Sequence, residues 1–120
     1  MRKIPLFAIL SWSASTCLAA GPIPPRLTGE QLVERYGKTG TELFTLRDQS
    51  YLDGYLAGAA DAGEGQAWCN TGKVQRGEID SYVVGEIRDV RPEHRRGNAA
   101  PLVTSALQRK FPCPSSGKAR

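Results

Sequence analysis

Two cysteines, Cys69 and Cys113, are all that remain once the N-terminal leader of this 120-residue chain is set aside. The leader has the three parts of a secretory signal: basic Arg2 and Lys3, an apolar run from Ile4 to Leu10 extended by Trp12, and small residues leading to Leu18-Ala19-Ala20. Cleavage is expected after Ala20 or one residue earlier, in a compartment that permits disulfides. Cys17 leaves with the leader; Ala14-Ser15-Thr16 before it makes a poor lipidation site. Two cysteines allow one bridge, Cys69–Cys113, the alternative being a pair of free thiols. The roughly one hundred remaining residues enclose one small core. Closing the loop between the two cysteines adds about 4 kcal/mol in the chain-entropy model, comparable with the net stability of so small a domain.

Charge removes one class of function. The full chain has 16 Lys and Arg against 12 Asp and Glu, and loss of Arg2 and Lys3 with the leader leaves 14 against 12. A nucleic-acid partner needs a clustered cationic excess that this balance does not supply. The leader's apolar run is too short for a bilayer of roughly 30 Å, and no later stretch offers the roughly twenty apolar residues of a spanning helix. No membrane contact is expected after cleavage.

Helical periodicity organises the rest. Residues 21–27, with Pro22, Pro24 and Pro25, form an extended lead-in, and the domain spans 28–113. Thr28-Gly29-Glu30-Gln31 has the capping-box pattern, flanked by Leu27 and Leu32 as a hydrophobic staple, and predicts a helix from Gly29 to Tyr36 ended by Gly37. A second helix opens between Thr39 and Thr45. Its apolar stripe is Tyr51, Leu52, Tyr55, Leu56, Ala59 and Ala60, and Gly63-Glu64-Gly65 closes it. Gly54, Gly58 and Ala62 form an adjacent stripe where a second backbone is expected to approach, either within the domain or in a homodimer. The next helix runs from about Gln75 to Val90, turning Ile79, Tyr82, Val83, Ile87 and Val90 inward, with Glu86 the odd member at the margin of that stripe, until Pro92 stops it. Arg91 to Gly97 reads as a basic polar turn. Asn98 then caps a last helix carrying Leu102, Val103, Ala106, Leu107 and Phe111, and Pro112 and Pro114 end it. Residues 114–120 are a polar tail. With no period-two strand, the fold class is all-α: a small four- to five-helix bundle closed by one disulfide.

No catalytic, metal or cofactor constellation accompanies these helices. His94 is the single histidine and sits among Arg91, Glu93, Arg95 and Arg96, the setting of a solvated helix-end cation. Zinc would need more ligands than one histidine and two bridged cysteines provide. Ser50, Ser81 and Ser105 lack a nucleophile elbow, and Asp48, Asp53 and Asp61 do not have the spacing of a calcium loop. The chain is therefore expected not to be an enzyme.

Several short motifs are familiar in combination. Tyr55-Leu56-Ala57-Gly58-Ala59-Ala60-Asp61, then Trp68-Cys69, Arg91-Pro92-Glu93-His94 and finally Phe111-Pro112-Cys113 resemble, in order and spacing, the Tai/Rap family of small periplasmic immunity proteins. The resemblance runs from about Leu27 to Cys113. It implies a helical domain in the periplasm that binds and blocks a secreted, peptidoglycan-cleaving amidase effector of type VI secretion. It also implies a structural part for Tyr55, Gly58, Asp61, Trp68, Pro92, Phe111 and Pro112. The sequence departs from the family in two places: a second cysteine pair is replaced at about Tyr36 and Leu52, leaving an apolar contact, and Asn70 stands where a proline commonly follows the cysteine.

An immunity role needs an exposed contact surface. Loops held on a rigid scaffold are where binding groups usually sit, which points to residues 63–72 with Glu64 and Gln66, and to residues 91–98 with Arg91, His94, Arg95 and Arg96. The alternative role is an envelope protein of the same fold, structural or chaperone-like, with no toxin partner.

Overall fold

Thr28 and Gln31 exchange hydrogen bonds across the first turn of helix α1 (Gly29–Tyr36), as the capping box predicts. The computed structural model describes residues 21, 23–70, 72 and 75–114; the expected leader at 1–20 and the tail from 115 lie outside them. On either side of the cap, Leu27 and Leu32 are fully buried, so the staple fixes the angle at which the chain enters the domain. The same corner is tied to the start of the last helix: Gly29 N–H donates to the Gly97 carbonyl at 3.2 Å and Ala99 N–H to the Leu27 carbonyl at 3.0 Å.

Helix α2 (Leu43–Gly63) buries Leu52, Leu56 and Ala60. Its first turn leaves Thr41 outside and takes Thr45 in, and Glu42 caps it without a side-chain hydrogen bond. One expectation fails here, and so does the within-domain form of a second. Tyr51, assigned to the inner stripe, is 42% exposed, and among the described residues nothing lies within 4 Å of where a Cβ would stand on Gly54 or Gly58. At about 100° per residue, positions 54 and 58 point away from Leu52 and Leu56, and no helix among the described residues covers that side.

Helix α3 (Arg76–Asp89) buries Ile79, Val83, Val84 and Ile87. Val84 widens the expected stripe, because α3 packs against both α1 and the last helix. The residues after it are not only a turn. Pro92 ends α3 and also starts a single helical turn, α4 (Pro92–Arg95), since a proline at the first helical position withholds an N–H that would have no helical partner. Asn98 caps α5 (Ala99–Lys110), its side-chain oxygen accepting from Ala100 N–H at 3.1 Å.

Both α2 and α3 pack on α5, and α1 lies against all three and against α4. Leu27, Leu32, Leu52, Leu56, Val83, Val84, Ile87, Val103 and Leu107 form the core, each at most 1% exposed. Among the described residues the secondary structure is five helices with two isolated bridges, Thr28 with Asn98 and Glu64 with Trp68.

The approach of α1 to this core leaves no room for a side chain at Gly29. A Cβ there would stand 2.6 Å from Leu102 Cδ1 and 3.1 Å from the Arg95 carbonyl oxygen. Gly29→Ala is expected to lower stability by about 1–3 kcal/mol through overpacking. Gly85→Ala, in α3 with nothing within 4 Å, should raise it by up to about 1 kcal/mol through helix propensity. Urea unfolding of the two variants side by side reads both signs.

Candidate functional site

The two turns singled out in the sequence sit at opposite ends of α5. Residues 91–98 lead into its first turn, whereas residues 63–69 meet its end, where Cys69 N–H donates to the Phe111 carbonyl at 2.9 Å. Twelve helical residues separate them, roughly 18 Å at 1.5 Å per residue. The fold therefore does not join Glu64 and Gln66 to Arg91, His94, Arg95 and Arg96 in one patch.

At the far end, the loop is folded back on itself. Gly65, with φ of 78°, takes a conformation that a side chain would disfavour, and its N–H donates to the Trp68 carbonyl at 2.8 Å. Trp68 is 3% exposed. Its Nε1–H donates to the Ala60 carbonyl at 2.8 Å, and its ring lies 6.2 Å from that of Phe111. The Cys69–Cys113 disulfide joins the two segments beside these rings, with Cα atoms 4.7 Å apart. Glu64 and Gln66 stay exposed. A hollow of about 260 Å³ opens here, lined by Asp61, Glu64, Trp68, Asn70 and Asp80 among others.

At the near end, α4 stands outward on a firm base. Arg95 is half-buried and committed to the fold: its guanidinium donates to the Arg88 carbonyl at 2.8 Å. Arg91, Glu93, His94 and Arg96 are exposed, and the Arg91–Glu93 pair at 3.5 Å is open to water and weak. Behind α4, Asn98 is a hub the sequence showed only as a cap: its side-chain oxygen also accepts from the Tyr55 hydroxyl at 3.2 Å. Burial raises the Tyr55 pKa above the ordinary 10.0, so the hydroxyl remains the neutral donor. Its stabilising effect is complete below that value and lost as pH rises through the raised one.

Other motif residues divide by environment. Phe111 packs under Trp68 and meets Tyr82 edge-on at 6.4 Å. Gly58 and Asp61 face outward on α2. Tyr36 and Leu52, at the places of the missing cysteine pair, line one hollow together with Gln49 and Asp53. His94 belongs to the α4 end, while Asp61, Glu64 and Asp80 line the hollow at the other end. The sequence reading missed an apolar patch at the start of α2, where Leu43, Phe44 and Leu46 are 78%, 71% and 47% exposed. Their phase, out of step with Leu52 and Leu56, was the available signal.

A family model described as Rap1a immunity proteins matches residues 28–113. The chain belongs to that family. The match begins at the N-cap of α1 and ends at the second bridged cysteine, so it spans all five helices. No curated protein matches the chain. As a member of an immunity family, the protein acts on a protein effector delivered by type VI secretion. No helix among the described residues is long and apolar enough to cross a membrane.

Proposed function

We propose that this Rap1a-family protein works in the periplasm, where it blocks a peptidoglycan-cleaving amidase effector by seating the α4 turn in the effector's cleft. The observation that carries this reading is the way α4 is held: four exposed polar residues project from a turn fixed by Arg95 to the Arg88 carbonyl, by Gly29 to Gly97, and by α1 beneath it. A rigid protrusion enters a concave site without a large ordering cost. Inhibition of this kind is binding alone and asks for no catalytic group of its own. A half-exposed disulfide suits an oxidising compartment, in keeping with the leader expected at 1–20.

Charge reversal on the outer side of α4 tests the contact. Arg91→Glu together with Arg96→Glu should leave the helical circular-dichroism spectrum intact and weaken inhibition of the target amidase at least about tenfold, since like charges at an interface cost several kcal/mol. Unchanged potency would place the contact elsewhere. The loop end, through Glu64 and Gln66, is the next surface to mutate.

A further inference from the structure

Asn98 stands where the chain leaves α4 and enters α5, so its position sets where the α4 turn points. Backbone bonds hold this junction on one side: Gly97 N–H donates to the His94 carbonyl at 3.2 Å, and Asn98 pairs with Thr28 in an isolated antiparallel bridge beside α1. The Asn98 side chain adds a tie of another kind. Its Oδ1 accepts from Ala100 N–H at 3.1 Å, within its own helix, and from the Tyr55 hydroxyl at 3.2 Å, which comes from the middle of α2. Capping α5 requires the first of these bonds and not the second. The Tyr55 ring is half-buried against the core, so its hydroxyl is presented from a fixed place.

We propose that Tyr55 is a positioning residue for effector recognition: through Asn98 it fixes the orientation of the α4 turn that presents Arg91, His94 and Arg96. This rests on the reading of α4 as the contact, and adds that α2 sets the strength of that contact through a side chain acting at one remove. A single helical turn has no stability of its own, because nucleating a helix is costly. Helix α4 therefore keeps its shape through what anchors its two ends. Arg95 to the Arg88 carbonyl at 2.8 Å anchors the α3 side, and Tyr55 to Asn98 anchors the α5 side. The exposed Arg91, His94 and Arg96 lie between those anchors. With one anchor gone, the turn spends part of its time in orientations that do not fit, and apparent affinity falls with the competent fraction.

Tyr55→Phe keeps the ring and removes the donor, and should weaken inhibition of the target amidase about fivefold, the worth of one hydrogen bond. Tyr36→Phe is the control for a loss of stability without a loss of position. It removes a hydroxyl 3.4 Å from Ser81 Oγ, at the opposite end of α1 from Gly29, and should change inhibition less than about twofold. In the free protein, hydrogen exchange at the Gly97 and Ala99 N–H groups should be about fivefold faster in Tyr55→Phe than in Tyr36→Phe. Asn98→Ser still caps α5, but its oxygen stands one bond nearer the backbone. It should weaken inhibition as Tyr55→Phe does, and the two together no more than either alone. Equal exchange in the two Phe variants overturns the proposal, whatever inhibition shows. So do equal losses of inhibition in both, which would make Tyr55 a contributor to stability alone, or additive losses in the double variant. Faster exchange with unchanged inhibition overturns it as well. Where charge reversal at Arg91 and Arg96 is then silent too, the α4 reading itself has failed; where it is not, only the part given to Tyr55 has.

Discussion

Replacing Cys69 and Cys113 together by Ser is expected to lower the free energy of unfolding by about 4 kcal/mol, the chain-entropy value for a 44-residue loop. In a domain of this size that corresponds to a fall of roughly 15–30 °C in Tm. The bridge holds more than its own loop. It joins the segment after α2 to the end of α5, and Cys69 N–H to the Phe111 carbonyl is the backbone hydrogen bond at that junction. Without the bridge, the unfolded chain regains the freedom of the whole segment between the cysteines, α3 and α4 included. Thermal unfolding of the double Ser variant, compared with the oxidised parent, reads the difference. A loss below about 1 kcal/mol would mean that the helices hold this end without it.

Trp68→Ala is expected to cost about 4 kcal/mol, within the range for removing a large aromatic from a core. Trp68 is 3% exposed, fills the corner between Gly63 and Phe111, and satisfies the Ala60 carbonyl at the end of α2. Truncation leaves a cavity and a carbonyl without its donor. Trp68→Phe keeps most of the apolar contact and should cost less than half as much. Because Trp68 adjoins the bridged Cys69, the two losses are coupled: in the double Ser background Trp68→Ala should cost at least about 1 kcal/mol less than in the parent. Urea unfolding of the four proteins measures that coupling, and strict additivity would show that ring and bridge stabilise independent parts of the fold.

Local signals were legible wherever one neighbourhood decides the outcome. The capping box at Thr28 to Gln31, the Asn98 cap and the breaks at Gly63 and Pro92 depend on residues a few positions apart, and each is where the sequence indicates. The disulfide followed from there being two cysteines to pair. Other features depended on what packs where. Periodicity put Tyr51 in the inner stripe of α2, but α1 and α5 cover a narrower face than that stripe, and Tyr51 remains outside. The Gly54–Gly58 stripe predicted a close neighbour, which the described residues do not supply. Helix α4 is too short to show a period, so its four residues read as a turn.

The candidate contact surface divides in the same way. That residues 91–98 are polar and exposed could be read from composition and from Pro92. That Arg95 is tied to the Arg88 carbonyl, leaving Arg91, His94 and Arg96 to face outward, required the tertiary structure. So did the separation of this turn from Glu64 and Gln66 by the length of α5. The family motif residues have uneven parts: Tyr55, Trp68 and Phe111 hold the bundle, while Gly58 and Asp61 lie on its open face.

The most direct measurement is survival of cells that export to their own periplasm the amidase effector proposed as the target, while producing this protein with or without residues 1–20. Protection by the full-length protein, and lysis when the leader is deleted, is the result expected of a periplasmic inhibitor that acts by binding. Lysis despite export of the folded, disulfide-bonded protein, or equal protection by the leaderless form, would contradict it.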